Sequence, residues 1–117
     1  MKKISIITIT LNNFKTIEQT IKSVLDQNYP NLEYIMIDGG STDGTLEILD
    51  RYKSKFAYFK SSPDKGVFDA MNKGSAKASG DIVGFVNGGD FLYENALNKV
   101  QEAFSNQKTN LFFSVAE

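Results

Sequence analysis

Short runs of β-branched and apolar residues alternate along this chain with segments whose apolar residues recur at helical spacing, and that alternation leaves few folds open. Lys3 to Leu11 carries Ile4, Ile6, Ile7 and Ile9 and reads as a buried first strand, stopped by Asn12-Asn13. Phe14, Ile17, Ile21, Val24 and Leu25 then predict a helix from about Phe14 to Gln27. Leu32 to Ile37 reads as a second strand, closed by Asp38-Gly39-Gly40. Asp43 is placed to cap a helix from Gly44 to about Lys53, with Leu46, Leu49 and Tyr52 facing inward. Phe56 to Phe59 predicts a third strand, and Ser62 to Gly66 a loop. Val67, Ala70, Met71, Gly74 and Ala78 mark a third helix. Asp81 to Val86 predicts a fourth strand. Tyr93, Leu97, Val100 and Phe104 mark a fourth helix, and Leu111 to Val115 a last strand. The fold class that follows is α/β: a mostly parallel sheet flanked by helices. Residues 1–117 form one domain of ordinary size.

Composition excludes several chemistries. The 117 residues contain no Cys and no His. Disulfides, thiolate metal sites, a Cys nucleophile and a Ser-His-Asp triad are therefore excluded, as is a His-ligated zinc or iron. A metal here is held by oxygen, which favours magnesium, manganese or calcium. With 13 basic and 14 acidic side chains the net charge is −1, which argues against nucleic acid as a partner. No run approaches the about 18 apolar residues of a membrane span, and no secretory leader is evident, so a cytoplasmic location is expected.

In an open α/β sheet, ligands bind outside the carboxyl ends of the strands. Those ends are Thr10-Leu11-Asn12-Asn13, Asp38-Gly39-Gly40-Ser41, the loop with Asp64-Lys65-Gly66, and Asn87-Gly88-Gly89-Asp90. Topology alone thus sets three carboxylates, a lysine and several amides on one rim. Asp90, after two glycines, suits a divalent cation bridging a diphosphate; equally it suits a helix cap or a turn. Asp38 suits ribose hydroxyls or a base N–H, or a turn. Asp64 and Lys65 suit a base, sugar or phosphate, or a solvated loop pair. Lys65, Asp69, Asn72 and Lys73 share one helical side, which is solvent-facing by default and a rim contact for Asn72 as the sharper option. Phe14, Tyr29 and Tyr34 read as packing. Gly39 to Gly44 lacks the spacing of a P-loop, and no Gly-x-Gly-x-x-Gly follows the first strand.

The run Ser5 to Asn13 resembles the opening strand of family 2 glycosyltransferases of the GT-A type. Ser23-Val24-Leu25-Asp26-Gln27-Asn28-Tyr29 is similar to that family's Ser-x-x-x-Gln-x-Tyr helix end. Tyr34 to Thr45 is similar to its second-strand signature. Asp64 to Gly74 resembles a subgroup that often builds capsule or exopolysaccharide. Gly80 to Asp90 is similar to the strand that carries an Asp-x-Asp-type metal motif. The resemblance covers about Lys3 to Leu92, with the motifs in order.

The resemblance implies a GT-A Rossmann-like fold and transfer of a sugar from a nucleotide-diphosphate sugar, with uridine the expected base, to a glycan or lipid-linked acceptor, with inversion. It implies that Ile9, Thr10, Leu11, Asn12 and Asp38 hold base and ribose. It sets Asp64, Lys65 and Asn72 near base and diphosphate, and gives Asp90 the magnesium or manganese ion. Two positions depart from the family pattern. Leu11 stands where a Tyr often provides a platform, and Gly89 stands where the metal motif usually has its first acid. The family's chains normally run much longer, so the sheet is expected to be truncated after its fifth strand, with the acceptor half and the general base beyond Glu117. An exposed last edge is expected to favour self-association, and a lipid-linked acceptor would put the protein at the inner membrane face. The alternatives from other classes are a non-catalytic nucleotide-sugar-binding module and a receiver-like signalling domain.

Overall fold

A computed structural model describes residues 1–104 and the backbone of 111–114. Five strands alternate with four α-helices: β1 (Ile4–Thr10), α1 (Ile17–Leu25), β2 (Leu32–Asp38), α2 (Thr45–Arg51), β3 (Tyr58–Ser61), α3 (Val67–Lys77), β4 (Ile82–Phe85), α4 (Ala96–Phe104) and β5 (Leu111–Ser114). They form one sheet in the order β3-β2-β1-β4-β5, and every pairing is parallel. This is a doubly wound α/β arrangement, as the resemblance implies, with order reversing between β1 and β4. A receiver domain is excluded by that order, because its strands run 2-1-3-4-5.

The central strands are buried on both faces, so their residues are apolar at odd and even positions alike. Ile4 and Ile6 of β1 and Met36 of β2 pack with Ile17, Ile21 and Val24 of α1, Ile48 and Leu49 of α2, and Leu97 of α4. Ile7, Ile35, Ile37, Val83 and Phe85 face the other way, against Ala70 of α3. Helix α3 lies close on that face because Gly74 has no side chain. A Cβ there would come within 2.5 Å of Ile7 Cγ2.

Several local expectations are corrected. Helix α1 begins at Ile17 rather than Phe14, because Asn12 takes a left-handed turn at φ 52° and the chain needs residues 12–16 to swing round. Phe14 is half exposed rather than packed. In α2 the inward residues are Ile48 and Leu49, while Leu46 is exposed. Strand β3 sits two residues later than the apolar run, at Tyr58–Ser61. Phe56 and Phe59 instead pack against the α1/α2 core. Tyr93 and Val67 are exposed at the loop ends, where helical spacing overstated their burial. Val115 and the expected apolar edge after β5 lie outside the described residues.

Candidate functional site

The carboxyl end of the sheet is built by loops that bond to one another. β1 and β2 are in register with Thr10 opposite Asp38. Asp38 is 1% exposed, and its carboxylate accepts from Gly40 N–H (2.9 Å), Ser41 N–H (2.9 Å) and Ser61 Oγ (2.7 Å), besides Ser41 Oγ. Three of these bonds fall on Oδ2 and one on Oδ1, so both oxygens are engaged by the chain itself. Besides the nucleotide contact expected from the sequence, Asp38 thus has a structural role. Its side chain ties the ends of β2 and β3 together and forms the floor under the rim.

Asn12 and Asp43 lock the first two loops. Asn12 Oδ1 accepts from Thr42 N–H (2.8 Å), and Ser41 Oγ accepts from Asn12 N–H (2.9 Å). Asp43 is not the N-cap of α2, since Gly44 takes that place at φ 103°. It accepts from Thr45 Oγ1 (2.6 Å), Thr45 N–H (3.0 Å) and Phe14 N–H (3.1 Å). The Thr45 hydroxyl leads in holding the Asp43 carboxyl below its ordinary value.

A cleft of about 270 Å³ opens beside these loops, between the ends of β1 and β4 and the start of α3. Ile9, Thr10 and Leu11 line one side, Val67 and Ala70 another, and Asp64, Asn13 and Asn87 supply polar atoms. It is an apolar slot with few polar groups, the usual make-up of a small-molecule site. It also sits at the strand-order reversal, where doubly wound sheets bind ligands. Glycine makes the narrow junction possible: a Cβ on Gly88 would lie 2.5 Å from Asn13 Oδ1 and 2.8 Å from Thr10 Oγ1.

Asp64 reaches the slot over Gly39. Its Oδ1 accepts from Gly66 N–H (3.0 Å), and its Oδ2 lies 2.9 Å from where a Cβ on Gly39 would be. Asn87 Oδ1 is buried with no hydrogen-bond partner. A buried acceptor left without a donor is costly, so a ligand donor entering the slot has a place to bond.

Of the residues singled out from the sequence, Ile9, Thr10, Leu11 and Asp64 come together in the slot. Lys65 is exposed on the adjoining loop, where its N–H donates to Asp69 Oδ2 (3.0 Å). That bond and the Lys73 ammonium, 3.3 Å from Asp69, hold the Asp69 carboxyl low. Asn72 is exposed on α3 and is not among the residues lining the slot. Sequence reasoning sets Asn13 and Asn87 on the rim without giving them a role, and reads Val67 and Ala70 only as helix positions. Asn87 had a legible signal, since it stands between a buried strand and the Gly-Gly-Asp turn.

Asp90 stands at the tip of that turn. Its N–H donates to the Asn87 carbonyl (2.9 Å), and Gly88 and Asp90 bridge within the turn. Among the described residues, no hydrogen bond or ion pair engages its carboxylate. Among the described residues no three Asp, Glu, His or Cys side chains gather to hold a metal. A preformed all-protein cage is therefore not what this rim provides. One free carboxylate fits the other way of holding magnesium-like ions, in which substrate phosphates complete the shell. Among the described residues, no helix is long and apolar enough to cross a membrane.

Comparison with known proteins gives a consistent picture. The family described as Glycosyl transferase family 2 matches residues 5–116. A glycosyltransferase of Mycobacterium tuberculosis is 41% identical over 104 residues, covering 87% of this chain and 40% of that protein. Among solved structures, S. aureus TarS 1–349 in complex with UDP-GlcNAc is 27% identical, with a TM-score of 0.75 over 90% of this chain and 31% of that one. Mannosyltransferase PcManGT from Pyrobaculum calidifontis, in complex with GDP-Man and Mn2+, is 22% identical with a TM-score of 0.81, over 91% of this chain and 33% of that one, and it supports the fold alone. The chain thus spans about two-fifths of the length of the curated relative.

Proposed function

Because the chain belongs to glycosyl transferase family 2, we propose that it forms the donor-binding part of a transferase that moves a sugar, with inversion, from a nucleotide-diphosphate sugar to a glycan or lipid-linked acceptor. Uridine diphosphate is the carrier we favour. The observation that carries this reading is the slot at the strand-order reversal. It offers apolar walls from Ile9, Leu11 and Val67 for a flat base, and Asp64 Oδ2 and Asn87 Oδ1 as acceptors for base or ribose donors. TarS, at 27% identity, is known in complex with UDP-GlcNAc.

The chemistry asks for charge control at the leaving group. A nucleoside diphosphate departs poorly unless its developing negative charge is met. A magnesium or manganese ion supplies Lewis acidity at the diphosphate when bound. Asp90 is the residue of this chain that would hold it, and Lys65 adds a positive charge on the neighbouring loop. The role of this chain's residues is then to bind the nucleotide, fix its orientation and present the anomeric carbon. The acceptor hydroxyl needs a general base, and we assign that role to no residue of 1–117. A cytoplasmic site of action, at the inner membrane face where the acceptor is lipid-linked, and a place in surface polysaccharide synthesis go with this reading.

Calorimetric titration with UDP, with and without Mn2+, tests it. Binding strengthened by metal in the wild type, with that gain lost in Asp90→Ala, is the expected result. Absence of nucleotide binding, or equal affinity with and without metal in both proteins, would overturn it.

A further inference from the structure

Helix α1 and the turn that follows it direct three polar side chains towards the segment that follows β4. Thr20 Oγ1 donates to the Asp90 carbonyl (2.6 Å) and accepts from Gly89 N–H (3.1 Å). Ser23 Oγ accepts from Leu92 N–H (3.0 Å). Gln27 Nε2 donates to the Tyr93 carbonyl (2.8 Å), and its Oε1 accepts from Leu97 N–H (3.1 Å). Positions 20 and 23 are three residues apart on one side of the helix, and Gln27 continues the row from the turn just past its end. Residues 86–95 belong to neither strand nor helix, and backbone groups there need partners from elsewhere. Strand β1 takes the Val86 and Gly88 amides, and Thr20, Ser23 and Gln27 serve Gly89, Asp90, Leu92 and Tyr93.

Thr20 is the member of this row that touches the Asp90 turn itself. It is 1% exposed, in mid-helix, where threonine is a poor helix former and a buried hydroxyl must be satisfied. Its hydroxyl accepts from Gly89 and donates at 2.6 Å to Asp90, with the Thr16 carbonyl of its own helix a longer 3.3 Å away. The result is a division within one residue: the backbone of Asp90 is held on both sides, by Asn87 and Thr20, while its carboxylate stays free. A ligating group needs that combination, because a fixed backbone sets where the oxygen sits and an unengaged oxygen can bind.

We propose that Thr20 is a positioning residue for Asp90, and that helix α1 rather than β4 sets where this carboxylate meets the diphosphate end of the donor. The proposal rests on the reading that Asp90 acts at that diphosphate. Ser23 and Gln27 anchor the following residues, 92–97, and leave the Gly89-Asp90 peptide to Thr20.

Thr20→Val keeps the shape and branching of the side chain and removes both bonds, and Thr20→Ser keeps the hydroxyl. UDP affinity is measured for each with and without Mn2+, alongside thermal unfolding. The expected result is a metal-dependent gain reduced about tenfold in Thr20→Val, metal-free affinity within about twofold of wild type, and recovery in Thr20→Ser. A Thr20→Val protein that keeps the full metal-dependent gain overturns the proposal. So does one that loses metal-free and metal-dependent affinity alike, since that is a structural effect only. Should Thr20→Val not fold, Thr20→Ala gives the same readout with less crowding. A wild type that binds UDP with no metal-dependent gain removes the Asp90 reading itself, which separates that failure from the failure of Thr20.

Discussion

The Asp64 carboxylate lies where a side chain on Gly39 would have to go: a Cβ at position 39 would be 2.9 Å from Asp64 Oδ2. Two loops that are 25 positions apart in the sequence therefore share one small volume at the rim, and the bare backbone of Gly39 is what lets Asp64 lean into the slot.

Gly39→Ala is expected to leave the fold intact, because the atom it meets is the end of a flexible side chain. The carboxylate must then swing away. Nucleotide affinity should fall about tenfold, the scale of one charge-assisted hydrogen bond of ~1.5 kcal/mol. Calorimetry with UDP checks this. The loss should vanish in an Asp64→Ala background if Gly39 acts through Asp64, and additive losses in the double variant would show that it does not.

Asp38→Ala is expected to act on stability first. It strands four donors at the ends of β2 and β3, among them the amides of Gly40 and Ser41. A loss of about 3 kcal/mol or more in urea unfolding is expected, because buried donors without acceptors each cost of the order of 1–3 kcal/mol. An unfolding midpoint equal to wild type would contradict the anchoring role.

Tyr34 gives the protein an alkaline limit. Burial pushes its phenol well above the ordinary tyrosine value, against a smaller opposing effect of the Thr8 hydrogen bond (2.8 Å). A folded-state value raised in this way means the stabilisation is complete below the unfolded tyrosine value near pH ~10 and is lost as pH rises beyond it. Unfolding free energy should therefore decline above pH ~10 by up to about 1.4 kcal/mol per pH unit from this residue. Tyr34→Phe should flatten that decline and lower stability near neutrality by about 1 kcal/mol, through the orphaned Thr8 hydroxyl. Denaturation midpoints across pH 8 to 11 provide the measurement, at roughly half-unit steps.

Glu33 sets an acid limit at the opposite end of the sheet. Burial works against its charged form. The Ser79 amide (2.8 Å), the Ser5 and Ser79 hydroxyls and Lys3 outweigh that and hold its carboxyl below the ordinary value. The sign is the reverse of the tyrosine case: the stabilisation is present above the unfolded glutamate value and is lost as pH falls through the folded one. Glu33→Gln should be less stable than wild type at neutral pH, with the two curves converging under acid. Parallel unfolding curves down to pH ~3 would exclude this role.

What the sequence determined by itself is the succession of elements and the rim on which chemistry could sit. The period-3.6 pattern of the helices and the near-continuous apolar runs of strands buried on both faces are local signals, and the runs are strong at β1, β2 and β4. The carboxyl ends of the strands follow from parallel topology alone, and so Asp64 and Asp90 could be named. Only the tertiary structure decided what each of those acids does. Asp38 and Asp64 look alike in the sequence, each beside glycines in a loop after a strand. Four donors from the chain converge on the first, three of them on Oδ2, while the second keeps one oxygen over Gly39. The same holds for Thr20, which carries no apolar signal in the sequence and which the fold brings against Asp90, 70 positions away. Hydrogen bonding between distant segments has no period in the sequence. It depends on which loops the sheet order brings side by side.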